Sequence, residues 1–251
     1  MDITQTFYNN LASQYDKLFA DWQNTTREQA VILDKIFRTH GFNNSAKVLD
    51  CACGIGTQAI GLALKGYNVT ASDISEEELK QAKMRAKENG ASINFEKANF
   101  CYLEKVFDNK FDIVIAMDNA LPHMLSKSDL NLAIKSISDR VIDGGIFVAS
   151  IRDYDDLLKT KPPYSPPYIH KTENGKRVCF QTWEWNKNNY KLIQYIIEDE
   201  KTLSISKFGC EYRAFERKEL TDLLTANGFR KIEWLFPKDT GFYQPIVVAK
   251  K

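Results

Sequence analysis

The residues best placed to do chemistry lie in a glycine-bearing loop that follows a buried apolar strand. The predicted strand 47–51 runs into Gly54 and Gly56, and a short helix begins directly after them. Glycines let the backbone approach a ligand closely, and the N-terminus of the following helix turns unpaired N–H groups toward it. The loop therefore predicts a ligand-binding site at the carboxyl end of this strand.

Two kinds of ligand fit the glycine spacing. The glycines, with Ala59 and with Asp73 at the end of the second predicted strand, satisfy the loose fingerprint of dinucleotide binding. Asp50, however, precedes Gly54 in a position where it would repel a pyrophosphate and attract a cationic ligand. This acid favours S-adenosylmethionine. Two further features agree: the helical residues before the loop suit a lid, and the strand–turn–strand pattern at 232–249 suits an antiparallel final strand.

The pattern Asp-x-x-x-Gly-x-Gly, from Asp50 to Gly56, resembles that of the class I S-adenosylmethionine-dependent methyltransferases. The resemblance implies a Rossmann-like sheet, S-adenosylmethionine as cofactor and S-adenosylhomocysteine as product. In that family the acid that closes the second strand, here Asp73, binds the ribose hydroxyls. The alternative is that Asp73 is only a surface acid ahead of the helix cap Ser75.

Three further segments resemble the group of glycine N-methyltransferases and glycine/sarcosine methyltransferases. They are Ala98-Asn99-Phe100, residues 118–124 after the fourth predicted strand, and residues 151–155 after the fifth. The group often has glycine where this chain has Asp118. The likeness spans residues 46–168 and implies that the methyl acceptor is a small amine or amino acid.

From the resemblance and the predicted topology we expect one set of residues on each side of the transferred methyl group. On the cofactor side they are Tyr15, Trp22, Arg27, Asp50, Ala52, Gly54, Gly56, Asp73, Ile74, Asn99, Phe100, Met117, Asp118 and His123; on the acceptor side they are Asn119, Arg152, Tyr168 and Tyr212. Tyr15, Trp22 and Arg27 have an alternative role in core and lid packing. A lone histidine after a proline turn is more often structural than catalytic, so His123 is expected to contact the cofactor and not to act as a base. No metal site is expected.

Arg152 is expected to hold a carboxylate of the acceptor, as the group's arginine after the fifth strand does. A planar guanidinium grips a carboxylate with two hydrogen bonds and so orients a small zwitterion. The alternative is an arginine paired with Asp153, Asp155 or Asp156 on a solvated loop. Asn119 could likewise orient the acceptor or serve only as a turn residue.

An α/β fold must position these residues, because strands and helices alternate over most of the chain. In chain order the pattern predicts a helix over 3–20, a second from 24–26 to Gly41, strands over 47–51, 67–72, 93–95, 111–117 and 145–151 with helices between them, a proline-rich connection over 161–168, strands near 177–185, 190–198 and 201–209, a helix over 216–226 and strands over 230–236 and 243–249.

The expected fold class is α/β: a Rossmann-like class I methyltransferase sheet with helices on both faces, an N-terminal helical lid and an inserted antiparallel β meander. Four segments follow from it. They are a helical lid over 1–45, an S-adenosylmethionine-binding core over 46–152, an antiparallel substrate subdomain over 153–210 and the end of the core over 211–251.

Composition limits the possible partners. The 34 Lys and Arg residues against 33 Asp and Glu give a formal charge of +1, which argues against binding to nucleic acid or a membrane surface. No apolar run suits a membrane span, and the N-terminus lacks signal-peptide features, so we expect a cytoplasmic protein. The five cysteines are expected to be reduced core residues. A monomer or homodimer is expected.

The function that these features predict is methyl transfer from S-adenosylmethionine to the nitrogen of a small amine or amino acid. The amine must offer a neutral lone pair, and its alignment can replace a dedicated base. The main alternative is a methyltransferase of the same fold acting on carbon or oxygen of another small metabolite, which a wide apolar cavity would favour. An NAD-dependent oxidoreductase and a non-catalytic sensor of S-adenosylmethionine are further alternatives.

Overall fold

Two sheets organise the computed structural model, which describes residues 3–173, 175–199 and 201–251. The larger sheet has seven strands within these residues, in the spatial order β10 (Lys231–Leu235), β11 (Ile246–Lys250), β5 (Val141–Ser150), β4 (Phe111–Ala116), β1 (Lys47–Asp50), β2 (Asn68–Asp73) and β3 (Asn94–Lys97). Strand β11 runs antiparallel to both neighbours, and the other pairs are parallel. The predicted Rossmann-like sheet and its antiparallel final strand are confirmed.

The core lies on both faces of this sheet. In β4, Val114 and Ala116 pack in one apolar cluster, whereas Ile113 and Ile115 pack in another. Alternate residues of a strand point to opposite faces, so both faces are covered. The helices between and after the strands are α3 (Thr57–Leu64), α4 (Glu76–Glu88), α5 (Lys127–Arg140), α6 (Tyr154–Thr160), α7 (Arg217–Ala226) and α8 (Pro237–Thr240).

The N-terminal region differs from its prediction. Helix α1 (Ile3–Leu11) passes into a 3-10 helix over Ala12–Leu18, so the prediction of one helix over 3–20 is wrong. Apolar spacing alone does not distinguish the two windings over so short a run. Helix α2 (Trp22–Thr39) is capped by Asp21, whose side chain accepts from the Asn24 N–H, and not by a residue of 24–26.

The second sheet is the predicted antiparallel meander. It pairs, in order, β6 (Tyr168–Lys171), β7 (Lys176–Asn186), β8 (Asn189–Asp199) and β9 (Leu203–Arg213). Strands β7 to β9 were predicted; β6, α6 and α8 were not. Strand β6 can directly follow the prolines because it is an edge strand, which needs hydrogen bonds on only one side.

Gly61 lies where α2 and α3 pack together, and a side chain there has no room. A Cβ atom would stand 2.5 Å from the Thr26 carbonyl oxygen and 2.8 Å from Ala30 Cβ. We expect Gly61→Ala to lower the free energy of unfolding by about 1–3 kcal/mol, because overpacking outweighs alanine's better helix propensity.

Urea unfolding measures this loss, and Gly228→Ala is the matched control. Space is open around the Cβ position of Gly228, where only a φ of +94° opposes a side chain, at a cost of about 1 kcal/mol. A Gly61→Ala protein as stable as the wild type would contradict the close helix contact.

The described residues contain neither a membrane-spanning helix nor a disulfide. No helix in the described part of the chain is long and apolar enough to cross a membrane. All five cysteines are buried and free.

Candidate active site

The site forms where the carboxyl ends of the parallel strands converge. The glycine loop follows β1, Asp73 closes β2, Asn99 follows β3, Asp118 follows β4 and Arg152 follows β5. Strands β1 and β4 are neighbours whose connections leave in opposite directions along the sheet. Open α/β sheets bind ligands at such a switch point, because the diverging loops leave a crevice.

Asp73 holds the glycine loop in place. Its carboxylate accepts the Gly54 N–H at 2.9 Å through Oδ2 and the Ser75 N–H at 2.9 Å through Oδ1. Gly56 has a φ of +92°, and a Cβ there would stand 2.9 Å from Ile60 Cδ1. The loop conformation therefore depends on glycine at 56 and on an acid at 73.

A cavity of about 530 Å³ opens beside this loop, and we call it the cofactor cavity. Ten of the predicted cofactor residues line it: Tyr15, Ala52, Gly54, Asp73, Ile74, Asn99, Phe100, Met117, Asp118 and His123. The described residues that line the cavity include neither lysine nor arginine, but they include four acids. The acids are Asp73, Asp118, Asp129 and Glu211. A wall with acids and without basic side chains suits a sulfonium and disfavours a pyrophosphate. The cavity therefore fits S-adenosylmethionine.

Four predicted cofactor residues lie outside this lining. Asp50 is fully buried; its Oδ1 accepts the Ala52 N–H at 3.3 Å, its Oδ2 has no partner, and burial raises its pKa to about 8. Gly56 caps the N-terminus of α3, and its Cβ position faces Ile60 and Ala82. Trp22 is buried and donates from Nε1 to Thr57 Oγ1 at 2.9 Å. Arg27 is exposed on α2 and lines neither cavity described here, so the geometry gives it no contact with the cofactor.

A second cavity, of about 640 Å³, lies beneath the meander, and we call it the acceptor cavity. Its walls are largely apolar and aromatic. All four predicted acceptor residues line it: Asn119, Arg152, Tyr168 and Tyr212. The two cavities share Tyr8, Tyr15 and Asp118, so they adjoin at these side chains.

Arg152 has no acidic partner among the described residues. It donates from Nη1 to the Tyr190 hydroxyl and from Nη2 to Gln181 Oε1, both at 2.9 Å, and it lies 5.1 Å from the Trp183 ring centroid. The alternative that Arg152 pairs with neighbouring acids is wrong. Asp153 and Asp155 form ion pairs with Arg217, and Asp156 forms one with Lys159. Arg152 thus presents a positive charge, and further N–H donors, to the acceptor cavity.

Asn119 lines the acceptor cavity together with Arg152. It is 3% exposed, and its Oδ1 accepts the Arg152 backbone N–H at 3.1 Å and the Tyr154 hydroxyl at 3.0 Å. Since a backbone N–H can only donate, the amide orientation is determined. The Nδ2 group is buried without a partner. An unpaired buried N–H is costly, so this group fits an acceptor atom of a ligand.

The two predicted tyrosines differ in their surroundings. Tyr212 is buried, with its ring centroid 4.3 Å from that of His123 and 5.6 Å from that of Tyr190. Tyr168 is 63% exposed at the start of β6, on the rim of the acceptor cavity. Tyr212 therefore belongs to the buried wall of the acceptor cavity, and Tyr168 to its exposed rim.

His123 lies in the wall between the cavities. Its Nε2 is 2.8 Å from the Tyr8 hydroxyl, and burial lowers its pKa to about 3. We expect the His123 imidazole to stay neutral from pH 5 to pH 8, because protonation would place a charge in an apolar surrounding. NMR titration, with the resonance assigned by His123→Gln, measures this. A midpoint near the ordinary histidine value of about 6.5 would contradict it.

Several polar residues of the site have no recognisable sequence signal. Gln58, which donates to Asp118 at 2.7 Å, and Tyr243, which donates to it at 2.8 Å, lie far from it in the chain. Tyr190 and Gln181 reach Arg152 from the meander. Only Gln181 carried a hint, because it shares a strand face with Trp183.

Comparison with known proteins gives consistent results. A family model described as a methyltransferase domain matches residues 48–145. The chain is 32% identical over 225 residues to glycine N-methyltransferase of Mus musculus, covering 82% of this chain and 75% of that relative. It is 21% identical over 231 residues to glycine/sarcosine N-methyltransferase of Halorhodospira halochloris, covering 92% and 81%. A solved S-adenosylmethionine-dependent methyltransferase of Clostridium acetobutylicum ATCC 824 shares the fold, with a TM-score of 0.75 at 18% identity, covering 97% of this chain and 98% of that one.

Proposed function

Since the chain belongs to the class I S-adenosylmethionine-dependent methyltransferases, we propose that it methylates the nitrogen of a small amine that carries a carboxylate. Glycine and sarcosine define the type of acceptor, because the relatives named above are enzymes of glycine and sarcosine.

The observation that carries the proposal is the unmatched charge of Arg152. Its guanidinium lines the acceptor cavity with tyrosine and glutamine partners only, and Asn119, whose Nδ2 group is unpaired, lines the same cavity. Charged donors without an acidic partner in the protein bind a carboxylate well, because the ligand then supplies the negative hydrogen-bond acceptor. An acceptor without a carboxylate would leave the Arg152 charge without an acidic partner and the Asn119 Nδ2 group unpaired.

The cofactor cavity supplies the residues that would hold S-adenosylmethionine. These are the glycine loop at Gly54, Asp73 for the ribose hydroxyls, Asn99 and Phe100 for the adenine, and Met117 and His123, which also line the cavity. When bound, the cofactor supplies a methyl carbon made electrophilic by the sulfonium. The acidic wall favours that positive charge.

The acceptor residues act by orientation. Arg152 and Asn119 fix the carboxylate, so that the amine nitrogen is presented at the junction of the cavities. Alignment at near-attack distance lowers the activation free energy by several kcal/mol, and by about 7–11 kcal/mol at best. The nitrogen attacks as the neutral amine, so an acceptor that binds as an ammonium must first release a proton to solvent. The N-terminal helices, the residues 161–168 and the meander exclude water from the site.

A panel of acceptors tests this proposal. Release of S-adenosylhomocysteine is followed with glycine, sarcosine, dimethylglycine, larger amino acids, a phenol and a quinol, and products are identified by mass spectrometry. We expect N-methylated product from at least one carboxylated amine. Turnover of the phenol or quinol without turnover of any carboxylated amine would overturn the acceptor assignment.

The size of the acceptor cavity favours a second candidate function. A volume of about 640 Å³ with aromatic walls exceeds what glycine fills and lies in the range of sites for drug-sized ligands. A methyltransferase of this fold acting on carbon or oxygen of a larger carboxylated metabolite also fits that space. The same panel separates the two candidates through the atom that is methylated.

A further inference from the structure

Asp118 lies where the cofactor and acceptor cavities meet. Within the described residues, Tyr8, Tyr15 and Asp118 line both cavities. Of these three, Asp118 is the one whose ordinary pKa makes it a charged group at neutral pH. The accepting atom must also lie at this junction, because the methyl group passes from the sulfur of the cofactor to an atom of the acceptor.

The carboxylate of Asp118 is held but not neutralised. Gln58 Nε2 donates to its Oδ2 at 2.7 Å, and the Tyr243 hydroxyl donates to its Oδ1 at 2.8 Å. Both donors are uncharged, unlike the arginine that pairs with Asp153. Each carboxylate oxygen keeps capacity for another hydrogen bond. The acid therefore has room for a cationic donor.

The backbone at Asp118 and Asn119 has a conformation that residues other than glycine rarely adopt. Asp118 and Asn119 have φ values of 54° and 69°, which cost about 1 kcal/mol or more each for residues other than glycine. The Asp118 N–H donates to Ser150 Oγ at 2.8 Å, and the Asn119 N–H donates to the Ser150 carbonyl at 3.1 Å. Two hydrogen bonds to β5 thus hold these two residues of the acceptor cavity in a strained conformation.

We propose that the Asp118 carboxylate binds the ammonium group of the acceptor, while Arg152 and Asn119 bind its carboxylate. This inference rests on the proposed function and adds the residue that selects an amine. An ammonium at Asp118 restores the charge balance of the site, whereas a hydroxyl at the same place leaves the acid unpaired. Burial also raises the pKa of Asp118, so the free site gains from a cationic ligand.

Calorimetric titration of protein saturated with S-adenosylhomocysteine tests the inference without turnover. The probes are two matched pairs: glycine against glycolate and phenylalanine against phenyllactate. We expect the wild type to bind the amine of at least one pair about 30-fold more tightly than the hydroxy acid, and Asp118→Asn to reduce that preference to about threefold or less. Asparagine tolerates positive φ as well as aspartate does, so the fold is kept.

Asp156→Asn is the matched control. It removes the same charge from α6, where Asp156 is exposed and pairs with Lys159, and the preference should persist. If Asp118→Asn also keeps the preference, the inference is wrong and the proposed function stands. If Asp118→Asn weakens S-adenosylhomocysteine binding by the same factor, Asp118 serves the cofactor and the inference is wrong. A wild type that binds neither member of either pair, and methylates no carboxylated amine, overturns the proposed function and the inference with it.

Discussion

Arg152→Ala is expected to raise the acceptor KM by at least about 30-fold, because truncating one member of a buried charge pair costs about 2–5 kcal/mol. Affinity for S-adenosylhomocysteine should change by no more than about twofold, since Arg152 lines the acceptor cavity and not the cofactor cavity. Steady-state kinetics and calorimetry measure the two quantities.

Two further variants separate charge from packing. Arg152→Lys keeps the charge but cannot bridge Tyr190 and Gln181 at once, so an intermediate KM is expected. Arg230→Ala removes an exposed arginine far from either cavity lining and should leave both quantities unchanged. Equal loss of acceptor and cofactor affinity in Arg152→Ala would show that the residue is structural.

Asp73→Asn is expected to weaken S-adenosylhomocysteine binding by about 10- to 150-fold. The carboxylate accepts backbone N–H groups from Gly54 and Ser75, and hydrogen bonds to a charged group contribute about 1.5–3 kcal/mol each. An amide keeps one acceptor oxygen and turns its NH2 group against a donor. The glycine loop and the proposed ribose contact are then lost together. Calorimetric titration measures the affinity.

Glu76→Gln is the control for Asp73→Asn. It makes the same acid-to-amide change nearby, at an exposed residue paired with Lys97, and should leave the affinity unaltered. Unchanged affinity in Asp73→Asn, with a lowered unfolding temperature, would show that Asp73 supports the loop and does not bind the cofactor.

The parts of the site that follow directly from strand ends are predictable from local sequence. A glycine pair after one strand and an acid at the end of the next must come together when parallel strands pair, which holds for Gly54 and Asp73. Arg152 is placed by the same logic, because it follows the strand beside β4. These positions depend on chain order and sheet topology alone.

Residues whose direction depends on long-range packing are not predictable in this way. Arg27 and Trp22 lie on α2, whose rotation is fixed by contact with Gly61 of α3, distant in sequence. Arg27 consequently faces outward, although its residue type suited the cofactor. The partners of Arg152 come from the meander, and no spacing rule brings Tyr190 or Gln181 to it.

Under the proposed function, Arg152 selects an acceptor by its carboxylate. The most direct test compares kcat/KM for carboxylated amines and their counterparts without the carboxylate, glycine against methylamine and phenylalanine against phenethylamine, in the wild type and in Arg152→Ala. The predicted result is a wild-type preference of about 30-fold or more for a carboxylated amine that Arg152→Ala abolishes. Equal use of an amine and its counterpart without the carboxylate by the wild type, or a preference that survives in Arg152→Ala, would contradict it.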